Sequence, residues 1–478
     1  MPNKNILAAA LAAVLFLATG CSMIPEYKQP DLPVAAAWPG GETNQAQDTA
    51  TSETVAVVSA PDIAWQTYFE SEPLRKLIAR ALEQNRDLRV ALLNIDRARA
   101  AFQIQEADSL PVISGGTSLT RQGVPADISA TGSSYTASTL TASVGITAYE
   151  LDFFGRVKSL NQEALEAYLA TEAAALNTRI VLIAQTADAY LTYLAEKKLL
   201  SLAKETCKSQ EETYAVIKGR YEVGSATRLD LAQAATSVES AKVSITRYTR
   251  LTAQAKNAVT LLAGTSVGDI LDTGETIDQV RLMDRLPTDL PSNVLLKRPD
   301  IRNAEHMLKA ANADIGAARA ALYPTISLTG SFGLASDDLS SLFKSGAASA
   351  WNFAPSLSIP IFSRGKLKAS LEEAKVSEKI AAAEYETAVQ TAFKEVADQL
   401  AARKTYQEQM RAQNALVDET RITYTLSRAR YQTGIDDFLT VLDSQRSLFS
   451  AEQSAITVRQ AYLSNLVNLY KVLGGGQI

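Results

Sequence analysis

Two hydrophobic periods alternate along this chain. In four short stretches apolar residues recur at every second position, the spacing of a β-strand with two unlike faces. The clearest runs from Thr325 to Phe332. Ile326, Leu328 and Phe332 fall on one side, and Thr325, Ser327, Thr329 and Ser331 on the other. A second stretch sets Trp351, Phe353, Leu357, Ile359 and Ile361 against Asn352, Ser356 and Ser358. Upstream, Leu140, Ala142, Val144 and Ile146 alternate with Thr141, Ser143, Gly145 and Thr147, and a weaker pattern holds Gly115 and Gly116. The predicted strands are about 112–121, 138–150, 325–334 and 351–361.

Elsewhere the period is helical. Pro73 and Leu74 open a stretch through Leu77, Ile78, Leu82, Leu88, Leu92 and Ile95, read as one helix ending before Pro111. An Ala-rich helix runs from Pro299 to Leu322 and is stopped by Pro324. The longest stretches span about Arg156 to Gly219 and Lys366 to about Thr433, free of proline and internal glycine. At 1.5 Å per residue each reaches roughly 95 to 100 Å. Gly224 and Gly434 then break the chain. Return helices follow at about 229–262 and 438–472, each about half as long as the helix before it. A return helix and an opening helix stacked end to end match one long helix, which makes each half a two-column layer. Runs such as Ala173–Ala175 and Ala381–Ala383 permit close helix approach.

The elements come twice. GRYEVGSATRLDLAQAATSVES (219–240) aligns with ARYQTGIDDFLTVLDSQRSLFS (429–450), matching Arg220, Tyr221 and Gly224 to Arg430, Tyr431 and Gly434. Asp87-Leu88-Arg89 matches Asp300-Ile301-Arg302, Leu110-Pro111 parallels Tyr323-Pro324, and FFGRVK (153–158) corresponds to IFSRGK (361–366). A period of about 210 residues is far longer than a solenoid unit, so the chain is an internal duplication. The domains predicted are a signal peptide at 1–20, an extended N-terminal segment at 21–60, a first repeat at 61–285 and a second at 286–478.

The polar face of the strands is nearly all Ser, Thr, Gly and Asn, without charge. That suits a water-filled lumen with lipid on the other side. Four strands cannot close such a barrel. Bacterial barrels begin at about eight strands, and an open edge in lipid leaves backbone groups unpaired at several kcal/mol each. The chain must therefore assemble, and the strand count alone leaves two copies or three.

The start of the chain bears on the compartment. Lys4 precedes an apolar run from Ile6 to Leu17, too short for a bilayer of ~30 Å and the usual size of a secretory core. Small residues and Cys21 follow. Ala18-Thr19-Gly20-Cys21 resembles a bacterial lipobox, with Leu17 one position earlier than usual. The resemblance implies cleavage before Cys21 and acylation of its sulfur and new amino group, and Ser22 in place of Asp favours the outer membrane. Acyl chains bind at ~0.8 kcal/mol per buried CH₂, so several hold a protein on a membrane.

Composition removes other readings. A net charge of −5, from 47 basic and 52 acidic residues, offers no basic stripe for nucleic acid. Cys207 is the only cysteine besides Cys21, so it reads as a buried, inert thiol. The single histidine, His306, lies in a helical pattern and reads as a packing or solvent-facing residue. No Walker loop, GxGxxG, HExxH or metal-spaced Cys/His cluster occurs. Neither an enzyme nor a cofactor or metal site is expected.

At this point the residues resemble a known family. CSMIPEYKQP, ALEQNRDLRVA, YELDFFGR, KRPDIRNAEH, ANADIGAARAALYP, DSQRSLFSA and LYKVLGGG, over about 21–476, are similar to stretches of the OprM-like outer-membrane efflux lipoproteins of the TolC superfamily. The resemblance implies a mainly α fold with a membrane β-barrel, in which each protomer gives four strands and long antiparallel helices. A homotrimer then forms a twelve-stranded barrel on a twelve-helix periplasmic barrel. It implies an exit duct in the outer membrane, working with a periplasmic adaptor and an inner-membrane RND transporter. A type I secretion duct, a heavy-metal efflux duct and a periplasmic coiled-coil scaffold are the rivals. Near the second turn, Arg428, Arg430, Asp436 and Asp437 are grouped as gate candidates, where charged rings constrain passage. OprM-like relatives tend to carry an acidic residue where Arg428 stands. Arg220, Tyr221, Gly224, Arg430, Tyr431 and Gly434 are candidates for the turns that meet the adaptor.

Overall fold

The structure is a computed structural model that describes residues 22–35, 38, 60–283, 292–338, 342 and 348–477. In chain order the main elements are α1 (Glu72–Gln84), α2 (Arg86–Ala107), β1 (Ile113–Val124), β2 (Tyr135–Leu151), α3 (Arg156–Glu222) and α4 (Arg228–Ala263). The second half supplies α5 (Pro299–Ala320), β3 (Thr325–Ser336), β4 (Ala348–Ser358), α6 (Lys366–Gln432) and α7 (Phe438–Val472). The chain divides into two compact units. One takes the residues up to Asp31 with Ile95–Thr171 and Asn303–Tyr385, and the other takes Leu32–Asn94, Glu172–Arg302 and Glu386–Ile478.

In the first unit the four strands form one antiparallel sheet in the order β1-β2-β3-β4. The expected alternation carries across the β2–β3 and β3–β4 pairings. Ile326 faces Leu357, and Phe332 faces both Trp351 on β4 and Val144 on β2. Ser327 faces Ser356, and Ser331 faces Asn352. Two details escaped the pattern. β2 carries a bulge between Ile146 and Tyr149, with Ala148 at φ 51°. The extra residue shifts the parity, so Tyr149 and Leu151 rejoin the apolar side opposite Leu328 and Ile326. β4 ends at Ser358, leaving Ile359 and Ile361 beyond the strand that was expected to hold them.

Below the sheet, polar contacts fix the first strand–helix junction. Arg156 grips Glu150 with two hydrogen bonds of 2.8 and 2.6 Å, and Tyr149 donates to the Ser109 carbonyl at 3.0 Å. His306 on α5 lies 2.6 Å from Glu166 on α3, both largely buried, so it does pack, against a carboxylate.

The two long helices are each 67 residues, Arg156–Glu222 and Lys366–Gln432. Gly155 (φ +71°) precedes the first and Gly365 (φ +86°) the second. Those glycines are the structural equivalents, so the match of FFGRVK to IFSRGK is two residues out of register. Gly219 lies inside α3 rather than ending it.

In the second unit, the single opening helix expected from Leu74 to Ile95 proves to be two. Asn85 leaves the helix at φ −66°, ψ 133°. Its side chain accepts from Leu88 N at 3.0 Å, capping α2, and donates to the Leu262 carbonyl at the end of α4 at 3.0 Å. The apolar stripe continues through the break, which hides it from periodicity. The second half repeats the device with a stronger donor. Arg298, buried just before α5, donates to the Val472 carbonyl at the end of α7 at 2.8 Å, and to Asp300 and Glu395 at 2.6 and 2.8 Å. In both halves a return helix ends where an opening helix starts, and one side chain satisfies a carbonyl the helix end leaves open. Beside the second junction Tyr68 stacks on Tyr470 at 4.0 Å, with its hydroxyl on the Leu466 carbonyl.

Arg298→Ala strands two carboxylates and a helix-end carbonyl. The expected cost is about 3 kcal/mol, low in the range for a broken buried pair because both carboxylates are partly exposed. Thermal melting of the helical circular dichroism signal checks this. Arg298→Lys, lacking the planar fork, should fall between the two.

Candidate functional site

Two features organise the described residues: a sheet with opposite faces, and a pair of matched helical turns.

The faces differ in curvature as well as polarity. A Cβ on Gly145 would lie 2.8 Å from the Ser331 Cβ, and one on Gly333 would lie 2.7 Å from the Ser143 Cβ. Directly opposed residues ordinarily hold their Cβ atoms about 4.5 to 5.5 Å apart. β2 and β3 therefore curl toward the polar face, and glycine makes room. On the apolar face an added Cβ at Gly115 or Gly330 would meet nothing nearer than 3.6 Å. Where β2 meets β3 the polar side is concave, as the inner wall of a barrel must be. The apolar side leaves Trp351 75%, Phe332 68% and Leu357 59% exposed in the single chain. Among the described residues no helix is long and apolar enough to cross a membrane.

The turns after α3 and α6 are twins. Ser225 N bonds the Arg220 carbonyl at 2.8 Å and Gly224 N the Tyr221 carbonyl at 3.0 Å. Ile435 N and Gly434 N repeat both bonds to Arg430 and Tyr431. This is the Schellman closure, and it needs a left-handed residue at the glycine. Gly224 has φ +74° and Gly434 φ +77°, with open space where a Cβ would stand, so backbone conformation alone selects glycine. Thr227 caps α4 in a box with Asp230, and Asp437 caps α7 with Thr440, the same two residue types exchanged.

The hairpins pack together through Ile217, Leu231, Phe438 and Leu442. The Arg220 guanidinium lies 5.0 Å above the Tyr431 ring, which itself packs on Phe438. Arg220 and Tyr431 are thus brought together across the hairpins, while Tyr221 remains 40% exposed.

The four gate candidates do not form one cluster. Arg430 holds Asp436 across its own turn with bonds of 2.7 and 2.8 Å. Asp437 is used as the α7 cap, accepting from Thr440 N at 2.9 Å. Arg428, two positions from Arg430 and so on another side of the helix, is exposed. Hydrogen bonding from Arg430 lowers the Asp436 carboxyl below its ordinary value, and the bonds from Thr440 do the same for Asp437. With folded-state values depressed, both contacts are in place at neutral pH and are lost as pH falls. Cys207 is buried, and burial pushes its thiol up. Cys21 lies outside the described residues.

A concave polar wall, an apolar outer face and paired turns on long helices define a membrane channel protein. The family model described as outer membrane efflux protein matches residues 77–265 and again 290–475. The chain belongs to the outer membrane efflux protein family. It is 47% identical over 474 residues to the probable efflux pump outer membrane protein TtgC of Pseudomonas putida, covering 99% of this chain and 96% of that one. A crystal structure of a membrane protein from Pseudomonas aeruginosa matches with a TM-score of 0.88 at 40% identity, covering 95% of this chain and 100% of that chain. The open state of the Neisseria gonorrhoeae MtrE outer membrane channel matches at 0.85 and 38%, covering 96% and 99%.

Charge separates the two faces experimentally. Leu357→Arg should destabilise membrane insertion by about 2 to 4 kcal/mol if the residue sits near the midplane. Ser356→Arg, one position along on the concave face, should assemble normally and change conductance. Heat-resistant assembly on gels and bilayer recordings give the two readouts.

Proposed function

We propose that this chain is the exit duct of a tripartite RND-type efflux pump, conducting small toxic compounds passively from an adaptor and transporter to the cell exterior. The observation that carries this reading is the four-stranded sheet whose Ser- and Thr-rich polar face curls inward where β2 meets β3. Such a sheet holds water on the inside and lipid outside, and its β1 and β4 edges require other copies. Three copies closing twelve strands agree with the architecture implied by the family resemblance. The names of the relatives, an efflux pump outer membrane protein and an outer membrane channel, support the same assignment.

In this reading residues 1–20 are a removed signal and 21–60 begin the lipid-anchored mature chain. The repeats at 61–285 and 286–478 build the wall. The transporter selects and energises substrate, and the duct supplies a wetted path. The turns at Gly224 and Gly434, with Arg220, Tyr221 and Tyr431 around them, meet the periplasmic adaptor. The gate lies at the same end. Arg430 and Asp436 stiffen the turn after α6, and exposed Arg428 pairs with carboxylates of a neighbouring copy.

Purified protein in planar bilayers should conduct ions at a low basal level. Removing the charge in the Arg428→Ala/Arg430→Ala variant should raise single-channel conductance and sensitise cells to large antibiotics with the transporter deleted. Exposed pairs contribute only about 0.2 to 1 kcal/mol each, but three copies act on one aperture. Wild-type conductance in a fully assembled variant would return these arginines to solvated helix-end charges. Absence of any conductance in the parent protein would overturn the channel assignment.

A further inference from the structure

Across the four strands only two side chains carry charge, Glu150 on β2 and Arg121 on β1. Glu150 lies opposite Ser327 on the polar face and is gripped by Arg156. Arg121 stands on the other face. Leu119 is opposite Leu140 and Arg121 is opposite Ser138, so Arg121 continues the apolar side of β1 by one step. It is exposed and makes no ion pair among the described residues. β4, the strand that a neighbouring copy brings to the β1 edge in the proposed assembly, carries no charge that could pair with it.

Height along the sheet places this arginine at a membrane surface. On β3 the apolar side runs through Ile326, Leu328, Gly330, Phe332 and Leu334 and turns polar at Ser336. From Ile326 to Ser336 is about 34 Å along the strand, or about 26 Å upright at the ~40° tilt of a barrel strand. A lipid-facing band is about 25 Å tall. Ser336 and Leu119 both lie opposite Leu140, so they share a row at the top of that band, and Arg121 is one row beyond. β1 begins at Ile113, just after α2, so the rim that Arg121 marks is the one far from the helices. With the helices in the periplasm, that rim meets the outer leaflet. A lipid-facing arginine is costly at the midplane and tolerated at the rim.

We infer that Arg121, with the Ser138 hydroxyl opposite it, is a binding site for the phosphate of an outer-leaflet lipid headgroup. The inference rests on the reading that the apolar face meets lipid. A guanidinium presents a planar fork that bonds two phosphate oxygens at once, and the hydroxyl adds a further donor. Opposed residues hold their Cβ atoms about 4.5 to 5.5 Å apart, close enough to share one phosphate. The aliphatic stem of an arginine covers apolar surface while its head rises to the polar layer, and Leu119 and Leu140 supply that surface here. A charge serving solubility alone would show no preference for phosphate, and that preference separates the two roles.

Native mass spectrometry of the assembled full-length protein in mild detergent measures binding of bisphosphoryl lipid A, against the same lipid with both phosphates removed. The parent should prefer the phosphorylated form, and Arg121→Gln should bind it about tenfold more weakly. Arg121→Lys, which keeps the charge without the fork, should fall between them. Arg121→Gln/Gln122→Arg moves the charge to the concave face and should bind no better than Arg121→Gln. This double variant also carries the comparison if the single one assembles poorly. In vesicles of brominated phosphatidylcholine, quenching of Trp351 reports on the face separately, since Trp351 is 75% exposed while Trp38 and Trp65 are buried. Quenched Trp351 with parental lipid A affinity in Arg121→Gln overturns the site alone. Equal binding of the dephosphorylated lipid does the same, and so does displacement by excess inorganic phosphate. Unquenched Trp351 overturns the lipid reading of the face and this inference with it.

Discussion

Hydrocarbon offers no hydrogen bonds, so each strand-edge N–H or C=O exposed to it costs several kcal/mol. A chain that brings only four strands, β1 to β4, has two edges to satisfy. That requirement shapes much of the remaining structure. It demands other copies, it demands curvature so that the copies close, and it demands that one face tolerate water. The glycines at 145 and 333 supply the curvature where β2 meets β3, which is also where the two halves of the chain join. The serines and threonines of the concave face supply the wetted wall, and the Glu150 carboxylate opposite Ser327 on that face is held by Arg156.

Duplication solves a second problem, that of a wall far longer than a strand. Each half contributes one 67-residue helix and a return column assembled from two shorter ones. A composite column has helix ends in its middle, and these are costly unless capped. Asn85 and Arg298 close them with side-chain donors to Leu262 and Val472, the same answer reached with different residues. The turns are closed alike in both halves by backbone alone, through Gly224 and Gly434. At the turns the halves differ in their arginines: Arg220 is spent on packing against Tyr431, whereas its equivalent Arg430 is spent on Asp436.

Much of this was legible in the sequence because it is written in period and in breakers. Strict alternation gave the four strands, and freedom from proline and glycine gave the long helices nearly to the residue. The misses have physical causes. The break at Asn85 is invisible to periodicity because Leu82 and Leu88 keep the apolar stripe going, although Asn followed by Arg-Asp-Leu is a readable cap. The bulge at Ala148 has no composition signal, since alanine is not a residue that favours positive φ. The segment Ser22–Gln29 lacks any period, and only its tertiary contacts, such as those of Asn312 and Arg319 on α5 with the Pro25 and Met23 carbonyls, reveal its place. The side-chain partners of the gate candidates cannot be read from spacing alone: Arg430 bonds Asp436 across its turn, whereas Asp437 caps α7.

The assignment of water to one face and lipid to the other is tested most directly on β3. Single cysteines at positions 326 to 332, in a Cys207→Ser background, are exposed to a charged, membrane-impermeant thiosulfonate during bilayer recording. Block of current should occur at Ser327, Thr329 and Ser331 and be absent at Ile326, Leu328 and Phe332. Block at the second set, or block without alternation, would contradict the account.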